Sequence, residues 1–85
     1  MNIFLFNPEA VKFKAFKEHG RDALHASYRL PDGRVLEDTV TWSKIMVFVR
    51  DNAQNILTQR IQKMFDDIVR ELSAHEKMVW KKNSR

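Results

Sequence analysis

The longest regular pattern of apolar and polar positions begins after the middle of the chain. From Leu57 onward, apolar side chains recur in steps of three or four residues, which places them on one face of an α-helix. No glycine or proline interrupts the run, and the opposite face carries side chains suited to water. The stripe consists of Leu57, Ile61, Met64, Ile68, Leu72, His75 and Val79. We therefore expect a long amphipathic helix over residues 43–82.

The start of this helix is open to two interpretations. Ile45–Val49 continues the helical spacing with Ser43 as an N-cap, which predicts one helix with a bend near Arg50–Asn52. The same segment is rich in β-branched and aromatic residues, as strands are. In that case Asp51 caps a shorter helix. We favour the single long helix.

A second clear pattern is the alternation of apolar and polar residues on both sides of a short turn. Pro31-Asp32-Gly33 has turn chemistry, because proline presets φ and glycine accepts positive φ. Alternation on either side predicts half-buried strands, with apolar positions at Leu24, Ala26, Tyr28, Leu30, Leu36, Val40 and Trp42. The sequence therefore predicts an antiparallel hairpin over residues 23–42. Asp38 is its one misfit, a charged residue on the apolar side.

The first 22 residues are expected to add one or two strands. Ile3–Phe6 is a short apolar run that stops at Asn7-Pro8, a pattern typical of a strand. Val11 to about Phe16 alternates apolar and basic residues, which favours a strand followed by a loop over residues 17–22. The alternative for this piece is a helix capped by Asn7, with Pro8 at its first position.

These patterns together predict a single α+β domain over residues 1–85. Residues 1–42 are mainly β, residues 43–82 form the long helix, and residues 83–85 end a basic tail. The composition, 44% hydrophobic and 31% charged, is that of a globular chain. The absence of cysteine is typical of reducing compartments, and we expect a cytoplasmic location.

The formal charge of +4 comes from one end of the chain. Six basic residues meet six acidic ones up to Trp42, and five meet five from Ser43 to Glu76. The surplus consists of Lys77, Lys81, Lys82 and Arg85. By this count the body is neutral and the tail is basic.

Candidate chemistry is sparse. A zinc site needs several His or Cys ligands that converge, whereas this chain has three distant histidines and no cysteine. No serine has the sequence context of a nucleophile, and no glycine-rich stretch is present to cradle phosphate. No apolar run is long enough to cross a bilayer. We therefore expect a protein that is not an enzyme, with no catalytic residue, metal, cofactor or small-molecule substrate.

Two functions from different classes fit these expectations. The first is a protein-binding or regulatory module, expected to form a homodimer, or to bind another protein, through the face of its long helix. The predicted contact residues are Ile61, Met64, Phe65, Ile68, Leu72, His75 and Val79. The alternative is nucleic-acid binding by the basic tail, through Lys77, Trp80, Lys81, Lys82 and Arg85.

Overall fold

The computed structural model describes the backbone of residues 5–83 and the side chains of residues 5–72. Three antiparallel strands in the order β1-β2-β3 form one sheet, and a single helix packs on one of its faces. The elements are a 3₁₀ turn at Pro8–Ala10, β1 at Lys12–Glu18, β2 at Arg21–Arg29, β3 at Val35–Trp42 and α1 at Val47–Asn83. The α+β class predicted from the sequence is confirmed.

The predicted strand at Val11–Phe16 is present as β1, and the helical alternative for this segment is wrong. The predicted loop over residues 17–22 is reduced to two residues, because Glu18 pairs directly with Arg21. His19 has a φ of 52° and Gly20 a φ of 77°. Positive φ at both central residues gives a turn whose twist matches that of the strands, so the strands pair up to the turn.

The predicted hairpin over residues 23–42 is confirmed as β2 and β3. Its turn is where the sequence places it: the Gly33 N–H donates to the Leu30 carbonyl at 3.0 Å, and Gly33 has a φ of 96°. The Asp32 carboxylate accepts hydrogen bonds from the backbone N–H of Arg34 at 3.0 Å and from Arg34 Nε at 2.7 Å. The turn is thus tied by its own side chain as well as by backbone bonds.

The segment before β1 differs from the prediction. Ile3 and Phe4 lie outside the described residues, and Leu5 and Phe6 are not in a strand. Asn7 does act as a cap, but of a 3₁₀ turn, through a hydrogen bond from Glu9 N to its Oδ1 at 3.1 Å. Pro8 allows this start because the first turn of a helix does not use its missing N–H.

The long helix is continuous but begins later than expected. It starts at Val47 rather than Ser43, and the alternative that made Ile45–Val49 a strand is wrong. Trp42 is still paired with Asp22 in the sheet, so the chain needs residues 43–46 to turn from the sheet towards the helix. Met46 N donates to the Ser43 carbonyl at 2.9 Å and closes this turn.

The core lies between the sheet and the first five turns of α1. Leu57 and Ile61 are fully buried and join Leu24, Tyr28 and Val40 in one cluster. The remaining buried members are Val11, Ala26, Leu30, Leu36, Ala53 and Phe65, with Trp42 packed at the margin. Burial of each large side chain contributes about 1.5–3 kcal/mol.

Two features close the core at its sides. Phe6 packs on Tyr28 and Phe65, with ring centroids 4.9 Å and 5.6 Å away. The Tyr28 hydroxyl accepts a hydrogen bond from the Asn7 N–H at 3.2 Å. Asp38, the misfit of the hairpin pattern, is half-buried and lies 3.5 Å from an Arg60 guanidinium nitrogen of the helix. Its charge on the helix side of the sheet therefore has a partner.

Candidate interaction surfaces

The helix is much longer than the sheet that supports it. The longest strand, β2, has 9 residues and spans about 30 Å, whereas α1 has 37 residues and spans about 55 Å. The molecule is accordingly 61 Å long and only 20 Å by 18 Å across. Phe65 is the last helix residue that is buried in the described part of the chain. We call the helix beyond it, residues 66–83, the overhang.

The predicted contact residues fall into three groups. Ile61 and Phe65 are 0% and 3% exposed in the chain's own core, so the structure removes them from the set that a partner can touch. Met64 and Ile68 are partly buried at the margin of the core, and Leu72 is half-buried on the overhang. The side chains of the remaining two, His75 and Val79, lie outside the described residues.

Phe65 illustrates a limit of helical periodicity. The spacing places Phe65 beside the apolar stripe, but it packs on Tyr28 and Phe6, with ring centroids 5.9 Å and 5.6 Å away. Phe6 is 59 residues earlier in the chain. The sequence around Phe65 carries no pattern that would indicate a contact with so distant a residue. The sequence alone therefore assigned Phe65 to a partner.

A second apolar surface lies at the other end of the helix, in the turn that leads into it and in its first two residues. Ile45 is 91% exposed, Met46 48%, Val47 46% and Phe48 74%. We call these four residues the tip. The sequence does carry a signal for it, because four consecutive apolar residues cannot all point to one side of a helix or a turn. Contiguous exposed apolar surface of this kind marks interaction sites.

The third surface is the side of the sheet that α1 does not cover, which we call the open face. Cross-strand partners point to the same side of a sheet, so Lys14, His25 and Thr39 form one row across β1, β2 and β3. The Glu37 carboxylate lies 3.1 Å from His25 Nε2 and can only accept, so Nε2 donates. In the neutral ring the Thr39 hydroxyl then donates to Nδ1 at 2.8 Å.

Thr39 and His25 of this row, with Glu37 of the neighbouring row, bring together a hydroxyl, an imidazole and a carboxylate, the groups of a hydrolytic triad. Acyl transfer also needs hydrogen-bond donors at the developing oxyanion, and the β2 backbone here is paired on both sides. The row lies on a flat, solvent-facing sheet rather than in a cleft. We assign it to cross-strand stabilisation, which is typically worth about 0.2–1 kcal/mol per pair.

The predicted nucleic-acid residues of the tail, Lys77, Trp80, Lys81 and Lys82, have helical backbone but side chains beyond the described part. Arg85 lies outside the described residues altogether. In the part of the chain that the structure describes, no group of three His, Asp or Glu side chains is placed to hold a metal ion. Within the same residues, α1 has no stretch apolar enough to cross a membrane.

Comparison of the chain with known protein families, with characterised proteins and with solved structures finds no match.

Proposed function

We propose that the protein is a non-enzymatic binding module that forms a homodimer through the overhang of α1. The single observation that carries this proposal is that Phe65 is the last fully buried residue in the part of the helix whose side chains are described, up to residue 72, whereas the helix backbone continues to Asn83. Val69 is the last described residue of the overhang that packs against the core, and residues 70–83 add about 20 Å of helix beyond it. The cytoplasmic location expected from the cysteine-free sequence remains part of this proposal.

An unsupported helical segment of this length is marginal in water. Nucleation is costly, and most helical stability in proteins comes from packing of the apolar face. Ile68 and Leu72 continue the stripe that begins with the buried Ile61, at steps of seven and four residues. The stripe therefore leaves the sheet without changing face. A second helix laid along this stripe supplies the packing that the sheet cannot.

The charges along the overhang favour a second copy in antiparallel orientation. Its first half is net acidic, with Asp66, Asp67 and Glu71 against Arg70. Its second half is net basic, with Lys77, Lys81 and Lys82 against Glu76. A two-fold axis near residue 74 places the acidic part of one copy beside the basic part of the other. Such an isologous contact closes on itself and gives a dimer, whereas a parallel pair brings like charges together.

The test replaces Ile68 and Leu72 by Asp and measures mass by light scattering. We expect the wild type to be a dimer and the I68D/L72D variant to be a folded monomer, because charge buried at the contact costs several kcal/mol. The matched control is Q59D/Q62D, which adds the same charge on the exposed face of the helix and leaves the dimer intact. A wild type that is monomeric at millimolar concentration contradicts the proposal.

The orientation has its own measurement. The chain has no cysteine, so a single Lys82→Cys substitution takes one spin label per copy. In the antiparallel dimer the two labels lie roughly 25 Å apart along the helix axis. In a parallel dimer they are separated only by the distance between neighbouring helices, about 10 Å. The shorter distance would rule out the two-fold arrangement near residue 74.

A further inference from the structure

The placement of charge on the sheet differs from what the sequence count indicates. Five basic residues of the described chain have an Asp carboxylate oxygen within 4.0 Å: Lys17, Arg34, Arg50, Arg60 and Arg70. Six others have none among the described residues. Lys44 and Lys63 lie in the turn before α1 and on α1, and the remaining four lie on the open face: Lys12, Lys14, Arg21 and Arg29. Basic and acidic residues are equal in number up to Trp42, but only two of the six acidic residues, Glu18 and Glu37, lie on the open face.

The open face is therefore positive although the body of the protein is neutral. Its only carboxylates in the described strands are Glu18 and Glu37, so four cations against two anions leave a formal charge of +2. Glu37 is engaged with His25. All four cations are exposed. Unpaired cations on one face attract a polyanion. This attraction speeds the approach of the ligand and also stabilises the bound complex.

The same face also offers flat, non-charged surface. Phe16 is 37% exposed, and its cross-strand partner Ala23 is a small residue that is 1% exposed. The His25 imidazole lies on the adjacent strand, one row away. At the far end of the face, an open groove of about 410 Å³ is lined by Ala10, Lys12, Ser27, Arg29 and Val35. Two cations and a hydroxyl thus converge on one depression.

We propose that the open face binds single-stranded nucleic acid, with phosphates on Lys12, Lys14, Arg21 and Arg29 and a base stacked on Phe16. Alternation of cations with an exposed ring is what non-sequence-specific single-strand binding requires. A duplex conceals its bases, and a flat three-stranded face has no element to enter a groove. This inference goes beyond the proposed dimer and does not rest on it, because the overhang belongs to the helix on the other side of the sheet.

The test measures fluorescence anisotropy of a labelled oligo(dT) and an oligo(U) between low and moderate salt. The face variant is K12Q/K14Q/R21Q/R29Q. The control variant is K44Q/R50Q/K63Q/R70Q, which removes the same charge from exposed positions of the helix and its leading turn. Both variants keep the basic tail. Four phosphate contacts to a single strand give a slope of log K against log salt of about −3. We expect the face variant to lose that part of the slope and the control to keep it.

Phe16 separates stacking from charge. Replacing it by Ala is expected to weaken binding roughly 5- to 100-fold without changing the salt slope, while Lys14→Gln changes the slope by about 1. Circular dichroism checks that each variant is folded.

Several outcomes overturn the proposal. The first is no salt-sensitive binding by the wild type at low ionic strength. Equal losses in the face and control variants would assign binding to net charge or to the tail. Equal affinity for a duplex of the same length, or equal competition by polyglutamate, would show that the face does not prefer single strands and binds polyanions in general.

Discussion

At the scale of single residues, the Pro31–Arg34 turn shows how a few atoms determine the pairing of two strands. The backbone N–H of Arg34, and then its guanidinium, lower the pKa of the Asp32 carboxyl below its ordinary value. The carboxylate is therefore the form that fits the turn, and this contribution is present above the usual pKa of Asp. It is lost only as the pH falls through the lower pKa of the folded state.

Gly33 allows the first prediction. With a φ of 96° it lies where β-branched residues are strained, and an added Cβ meets nothing within 4 Å. The cost of Gly33→Val is therefore conformational rather than steric, about 1–3 kcal/mol. For a chain of this size that lowers Tm by several degrees. Gly33→Asn is the matched control, because Asn tolerates positive φ, and it should lower Tm less. Equal Tm values for Val and wild type would contradict this account.

Residue-level features were predictable where the chemistry is local. Gly33, the Asn7 cap and the alternation of β2 follow from neighbours a few positions away. Asp38 was visible only as a misfit, because its partner Arg60 is 22 residues later on another element. The four unpaired cations of the open face could not be found from the sequence either. Their isolation depends on where the Asp residues of the other elements lie.

At the scale of elements, the tip is the feature that the helical periodicity predicted incorrectly, because its residues are exposed. Helical spacing favoured a helix from Ser43, with Ile45 and Val49 on the core side. β3 ends at Trp42, as the hairpin pattern predicts, and the pairing of Trp42 with Asp22 keeps the chain in the sheet up to that residue. The resulting turn at residues 43–46 rotates Ile45 and Phe48 out of the core. The apolar spacing of residues 45–49 does not indicate this turn, because the need for it arises from the position of the helix relative to the sheet.

Exposure of the tip predicts an unusual result for large-to-small substitutions. Ile45→Ser with Phe48→Ser removes two large apolar side chains, yet these are 91% and 74% exposed. We expect the free energy of unfolding, measured with urea, to change by less than about 1 kcal/mol. Leu57→Ala is the control, because Leu57 is 0% exposed, and it should cost about 2–5 kcal/mol. A tip variant as destabilised as the Leu57 variant would show that these side chains are packed.

At the scale of the whole molecule, the sheet separates two surfaces with different chemistry. The helix side carries the apolar stripe that runs off the sheet, and the open face carries the unpaired cations. A dimer through the overhang leaves both open faces uncovered, so the two proposed contacts do not compete. In a two-fold dimer the open face is present twice, and a nucleic acid long enough to reach both gains from the second site at high effective concentration.

The division of burial along α1 leads to the last prediction. The core residues Leu57 and Ile61 are buried within one chain, so a monomer can fold, whereas the overhang gains its packing from the second copy. Dimerisation then stabilises the folded state by mass action. The wild-type Tm should rise with protein concentration, by an amount that corresponds to about 1.4 kcal/mol per dimer for each tenfold increase above Kd. The I68D/L72D variant should melt at one temperature at every concentration, at or below the dilute limit of the wild type, because Ile68 also packs at the margin of the core. The Q59D/Q62D control should follow the wild type. If instead the wild-type Tm does not depend on concentration while I68D/L72D is unfolded at every concentration, Ile68 and Leu72 belong to the core of the single chain.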